Sequence, residues 1–221
     1  HGIVKNNWWD RSLKKSVYCV GEPAAALPDL PEGSNRGPGR LLVPTLATSM
    51  KAHIPGCKVA SVSWKDRSAI LMAGRDSDLA AWFEVTTGNL VTNRSWVKQT
   101  PLWMTQFNQR RAIDTFFGKI WDRPGPKAAY AGLVDDRPWE NMHYNGSRQR
   151  TLPQAMTGGG ETVSAPFYTQ VYASPFGNTI VRQAAESAVR GMQLGKDAAT
   201  DLLCVSFSAT DVVGHYWGPH S

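Results

Sequence analysis

No run of this chain stays apolar for the roughly 20 residues that a membrane-crossing helix needs, so a helical membrane span is excluded. No signal-peptide pattern is visible either. The chain opens on His1 with no initiator Met, and the expectation is that a preceding segment was removed or never included. Cysteine is scarce: Cys19, Cys57 and Cys204, with no CxxC pair. That removes the ligand spacing of a structural zinc ribbon. One disulfide plus a free thiol stays open. Internal repeats and low-complexity segments are absent, which removes the solenoid architectures.

What is there is an ordinary globular balance, with 42% hydrophobic and 19% charged residues over 221 positions. The length suits one sizeable domain, or one domain carrying an insertion. The net charge is +6, and its excess is local. Residues 1–75 hold eleven Lys/Arg against five Asp/Glu, whereas residues 76–221 hold thirteen of each. A local positive field suits an anionic partner such as a phosphate ester, a nucleic acid or an acidic membrane; a solvated basic face accounts for the same charges. The nine Trp are scattered, so they read as core or pocket walls rather than as a stacking platform for bases.

Asn6-Asn7 ahead of Trp8-Trp9 suggests a turn into a strand, and Ser16–Val20 a second strand. Residues 21–44 read as a long Pro/Gly-rich loop. A short helix is expected over Leu46–His53, stopped by Pro55-Gly56. Lys58–Trp64 reads as a strand, and Ser68–Ala73 as the start of a helix. Leu79–Thr92 reads as two short strands around Thr87-Gly88-Asn89. Pro101–Trp121 gives one helix with an apolar face of Trp103, Phe107, Ile113, Phe116, Phe117 and Ile120. About 122–178 has no sustained period and reads as a loop-rich insertion, a cap over a site. Asn178–Leu194 is a strong helix, and Asp201–Ser208 a strand apolar enough to be buried on both faces. The fold class expected is α/β, a mainly parallel sheet flanked by helices.

Three segments carry chemistry. Open α/β sheets place ligands beyond the carboxyl ends of their strands. At such an end Asp211 and His215 lie four apart, so a helix there would present both from one face, a natural pair of zinc ligands. Gly214 between them would let backbone pack close to an ion. A helix N-cap Asp with an incidental His is the plainer account. After the strand at 58–64 come Lys65, Asp66 and Arg67. From an extended segment Lys65 and Arg67 would point the same way. Arg grips two phosphoryl oxygens at once, and Lys adds a compact charge; Asp66 reads as a structural anchor, and the whole as a surface basic loop in the plainer account. The third segment, HGIVKNNWWDR, is a strand and a turn in which Asn6 could donate its amide to an anion.

Taken together, HGIVKNNWWDR, SVSWKDRSAILMAGR and SFSATDVVGHYWGP resemble, in order and separation, the alkaline phosphatase superfamily. Within it they resemble the single-chain zinc phosphomonoesterase branch related to type I nucleotide pyrophosphatases/phosphodiesterases. The resemblance spans nearly the whole chain and is weakest over 122–178. It implies an alkaline-phosphatase-like α/β core and hydrolysis of phosphate monoesters through a covalent phospho-enzyme, with two zinc ions. By position it implies that Asn6, Lys65 and Arg67 bind the phosphoryl oxygens, with Lys65 and Arg67 also stabilising transition-state charge. Asp211 and His215 would bind one zinc. His1, His53, His143 and His220 get no role, and Asp10 and Asp66 are structural. The family's hydroxyl nucleophile precedes the HGI motif, and its remaining zinc ligands flank the matched region. The chain is therefore expected to be an internal fragment, inactive by itself. The resemblance also implies a periplasmic or secreted protein acting on small-molecule phosphate esters rather than nucleic acid. A phosphodiesterase is the alternative, disfavoured because a diester's second substituent would sit where Lys65 and Arg67 reach. A sulfatase would need a different nucleophile. An anion- or nucleic-acid-binding module would interleave aromatics and cations on one strand face, which this sequence does not.

Overall fold

A computed structural model describes residues 2–30, 34–140 and 150–218. His1, His143 and His220 lie outside the described residues. The chain forms two compact units: residues 1–84, 89–110 and 181–206 make the first, and 85–88, 111–180 and 207–221 the second.

In chain order the elements are β1 (Asn7–Asp10), β2 (Lys15–Tyr18), α1 (Leu46–His53), β3 (Val59–Ser63), α2 (Asp66–Ala73), β4 (Leu79–Phe83), β5 (Leu90–Val91), α3 (Leu102–Gln109), β6 (Ile120–Trp121), β7 (Gln154–Ala155), α4 (Ala165–Tyr172), α5 (Pro175–Met192), β8 (Leu202–Ser206) and α6 (Ala209–Trp217). No helix among the described residues is long and apolar enough to cross a membrane.

In the first unit, β1 and β2 form an antiparallel hairpin with Trp8 opposite Val17. Asp10 shapes its turn, accepting from the amides of Ser12 and Leu13 at 2.9 Å each. That is the structural role expected of Asp10. Thr45 caps α1 in a reciprocal box with Thr48. The main sheet has the order β5-β4-β3-β8. Both neighbours of β3 run parallel to it, and β5 returns antiparallel beside β4. The sheet is thus mixed but mainly parallel, flanked by helices, as expected. Every residue of β3 and β4 is buried, the pattern of strands covered on both faces. Helix α2 sets Ala69, Ile70 and Ala73 against Cys19, Val20, Trp82 and Val91. Burying one side chain of the size of Ile70 stabilises by roughly 1.5–3 kcal/mol. Gly191 of α5 is demanded by packing, since a Cβ there would meet the Trp103 ring at 2.3 Å.

Three expectations need correction. Strand β8 is not buried on both faces: all five of its residues are only partly buried, and among the described residues β3 is its one neighbour in the sheet. The helix expected over Pro101–Trp121 stops at Gln109. Arg111 takes a left-handed φ of 46°, and the apolar positions Ile113 and Phe116 are then buried from a 3-10 turn, Ala112–Phe116. Their helical spacing reported burial but not the break. Finally, 122–178 is not wholly irregular. It holds α4, whose residues Phe167, Tyr168, Gln170 and Val171 are buried. Two turns beginning beside Pro166 are too short to show a period. All three cysteines are free thiols.

Candidate active site

The chain leaves β3 at Ser63 and enters α2 at Asp66. The Ser63 hydroxyl fixes that exit: it donates to the Ser206 carbonyl and accepts from the Lys65 amide, both at 3.2 Å. Lys65 and Arg67 therefore do not lie on an extended segment. Lys65 is the N-cap of α2 and Arg67 sits in its first turn. Only Arg67 of the two lines the cavity described below.

Arg67 belongs to a network with Asp66 at its centre. The Tyr18 hydroxyl stands 2.8 and 2.9 Å from the two Asp66 oxygens and donates its proton to that carboxylate. Arg36 Nε donates to Asp66 Oδ2 at 3.2 Å, and the Arg67 backbone amide to Oδ1 at 2.6 Å. Asp66 is thus the anchor that the sequence suggested. The Arg67 guanidinium donates from Nη1 to the Tyr18 hydroxyl at 2.7 Å. Both guanidiniums also lie against the Tyr18 ring, Arg36 at 5.1 Å and Arg67 at 5.7 Å. Burial, and then the Asp66 charge, push the Tyr18 phenol well above its ordinary pKa. Burial alone would lower the Arg67 pKa; the hydrogen bond to Tyr18 and the nearby negative charge outweigh it, and the net shift is upward. Arg67 thus stays a cation. Tyr18 and Arg36 are the residues that sequence reasoning missed. They lie 48 and 30 positions from Asp66, and no local pattern links them to it.

Arg67 lines a cavity of about 620 Å³ together with Asn6, Cys19, Thr45, Cys204 and Ser206. Asn6 is brought to the same cavity as Arg67 by the hairpin: its carbonyl accepts from the Cys19 amide at 2.8 Å, which pins the residue where β1 begins. Its side chain is exposed. Burial raises the Cys19 and Cys204 thiols above their usual pKa, so neither is a ready thiolate.

In the second unit, α6 buries Val212, Tyr216 and Trp217 and exposes Asp211 and His215. The helix turn expected there is present. The N-cap is Ser208, and Asp211 sits in the first turn of the helix. His215 Nε2 lies 3.5 Å from Asp211 Oδ1. Two ligands of one tetrahedral zinc, each about 2.0–2.2 Å from the ion, stand about 3.4 Å apart. One carboxylate and one imidazole at this separation fit as a partial donor set. Among the described residues no group of three or more His, Cys, Asp and Glu could hold an ion. A Cβ on Gly214 would meet nothing within 4 Å, so no described neighbour requires a glycine there.

Comparisons with known proteins agree with this architecture. Alkaline phosphatase PhoV of Synechococcus elongatus is 32% identical, over 100% of this chain and 40% of that protein. Alkaline phosphatase PafA of Elizabethkingia meningoseptica is 33% identical, again over 100% of this chain and 40% of the relative. The crystal structure of wild-type PafA superposes with a TM-score of 0.89 at 32% identity, covering 100% of this chain and 42% of the other. A PafA variant with one Thr changed to Ser, and an Asn, a Lys and an Arg changed to Ala, superposes equally well, at 0.89. The chain spans about 40% of the length of these curated relatives. Since the model of that family matches residues 1–221, the chain belongs to the type I phosphodiesterase / nucleotide pyrophosphatase family.

Proposed function

We propose that the protein is a zinc-dependent phosphomonoesterase in which Asn6, Lys65 and Arg67 hold the phosphoryl group and Asp211 and His215 are two of the metal ligands. The observation that carries the reading is the state of Arg67. It is held at one nitrogen by Tyr18, stays charged, and keeps its Nε and Nη2 without a partner among the described residues, in a cavity shared with Asn6. A guanidinium with one edge anchored and another available suits two oxygens of a phosphate monoester. The Asn6 amide donates to a further oxygen, and Lys65, at the N-terminus of α2, adds a compact charge. Zinc, when bound, supplies Lewis-acid stabilisation of negative charge on oxygen. What the chain's own residues do is orient the phosphoryl group and meet its growing charge with donors already in place. A hydroxyl nucleophile outside this chain, a covalent phospho-enzyme, export to the periplasm or medium, and a capping role for about 122–178 complete the proposal.

The names of PhoV and PafA support the monoesterase reading. The asparagine, lysine and arginine replaced together in the PafA variant are the residue types assigned here. Diester hydrolysis is a second reading, favoured by the family model's description as a type I phosphodiesterase. The test expresses the whole reading frame that encodes this chain and assays a phosphate monoester and a diester, with and without zinc. Zinc-dependent turnover that prefers the monoester is expected. Preference for the diester would leave Lys65 and Arg67 without their role.

A further inference from the structure

The second unit contains a cavity of its own, of about 800 Å³, which the phosphatase chemistry does not use. Val213 and Trp217 of α6 line it. Val213 is two residues from both Asp211 and His215, roughly 200° around the helix, so this is a different face of α6 from the one that carries the pair. Trp121 forms another part of the wall, and its ring meets that of Trp217 edge to face at 5.5 Å. Leu133 adds further apolar lining.

Among these apolar groups sits Glu140, which is only 5% exposed. Its Oε2 has no hydrogen-bond partner among the described residues. A buried carboxylate without a donor or a counter-charge is costly, and an occupant that supplied either would offset the cost. The cations of the lining do not answer it. Arg123 is paired with Asp135, and Arg150 Nε lies 2.5 Å from Asp136. Lys127 is exposed.

We propose that this cavity binds an organic ammonium ion, with the cation facing Glu140 and the apolar body against Trp121 and Trp217. A carboxylate beside aromatic rings is the chemistry that recognises alkylated ammonium groups. An anion would meet the Glu140 carboxylate, with Arg123 already held by Asp135 and Arg150 beside Asp136. A metal ion would find no group of three suitable ligands among the described residues, and would leave the apolar wall unfilled.

The experiment titrates the purified protein by calorimetry with choline and with 3,3-dimethylbutan-1-ol, its uncharged isostere. Saturable choline binding is expected, with the isostere weaker by about tenfold or more. Glu140→Gln should remove that preference while leaving the isostere unchanged. Equal binding of the two probes, no saturable binding of choline, or choline affinity retained in Glu140→Gln each overturns the proposal. If Glu140→Gln fails to fold, the two probes on the unaltered protein still decide it.

Discussion

Each unit contains a cluster of arginine, aspartate and tyrosine, with one arginine in the second unit and two in the first, and the clusters use their arginines differently. In the second unit Arg111 grips Asp114 with two nitrogens, Nε at 2.9 Å and Nη2 at 3.2 Å. Nη2 also reaches the Tyr168 hydroxyl, and Nη1 donates to the Thr87 carbonyl at 3.2 Å. Every nitrogen of that guanidinium is engaged within the fold. In the first unit the carboxylate of Asp66 is taken by Tyr18, by Arg36 and by a backbone amide. Arg67 is left with one side-chain hydrogen bond, to Tyr18. The ring geometry is nearly the same, 5.7 Å from Arg67 to Tyr18 and 5.8 Å from Arg111 to Tyr168. Solvent exposure does not separate them in the naive direction, since the Arg67 side chain is 29% exposed and that of Arg111 41%. What separates them is unspent hydrogen-bonding capacity. A second arginine satisfying the aspartate is what leaves the first one available.

The largest expected effect breaks the comparison at its centre. Arg67→Ala in the active enzyme should lower monoester kcat/KM by a few kcal/mol of transition-state stabilisation, about 100- to 1,000-fold. Diester turnover should fall far less. Arg111→Ala should leave both activities within a few-fold, assayed well below its Tm, while lowering the Tm itself. Equal losses on the two esters in Arg67→Ala would remove the phosphate-binding role.

A smaller effect tests whether Tyr18 positions Arg67. Tyr18→Phe keeps the ring but deletes the hydroxyl that accepts from Arg67 and donates to Asp66. Monoester kcat/KM should fall about tenfold, which is about 1.4 kcal/mol. Tyr168→Phe serves as the control and should not change it. A Tyr18→Phe enzyme of full activity would mean that Arg67 is held well enough by the rest of its surroundings.

These contrasts explain how much could be read from the sequence. α1 was legible to its end residues, its stop marked locally by Pro55-Gly56; the Thr45 cap at its start is what the structure adds. The α/β class and the parallel strands followed from local apolar runs. The break at Arg111 was not legible, because the apolar spacing continues through it while the backbone leaves the right-handed helix there. The partial burial of β8 was not legible either, since its composition is that of a central strand while among the described residues it has one strand neighbour. Asn6, Lys65, Arg67, Asp211 and His215 were singled out from local motifs and the family resemblance they carry. Tyr18 and Arg36 were not, because a contact across 48 or 30 positions leaves no local trace.

A third prediction uses a carboxylate with no catalytic part. Asp201 accepts from the backbone amides of Gly195 and Lys58 at 2.7 Å each, tying the entry to β8 to the start of β3. The bonds from Gly195 and Lys58 hold its pKa below the ordinary carboxylate value. The folded state therefore favours the ionised form. The contribution is present above the unfolded carboxylate range and is lost as pH falls through the folded value. Asp201→Asn should cost about 2 kcal/mol at neutral pH and should flatten the acid limb of a stability–pH curve measured by urea unfolding. An unchanged acid limb would assign that sensitivity to other carboxylates.

The smallest effect sharpens the comparison from the structural side. Burial, and then Asp114, push the Tyr168 phenol up to about 12 from an ordinary value of 10.0. Its folded pKa is raised, so its contribution is whole below the unfolded value and drains away as pH climbs from there towards 12. Tyr168→Phe should cost about 1 kcal/mol at neutral pH, the worth of a hydrogen bond. It should also remove part of the alkaline loss of stability. The Tyr18 phenol shifts in the same direction, so Tyr18→Phe should blunt the alkaline loss as well, but with the fall in monoester turnover that Tyr168→Phe does not share. If the two substitutions proved indistinguishable in both stability and turnover, then Arg67, like Arg111, would be a strut of its unit, and the capacity it leaves unspent would have no phosphoryl group to meet.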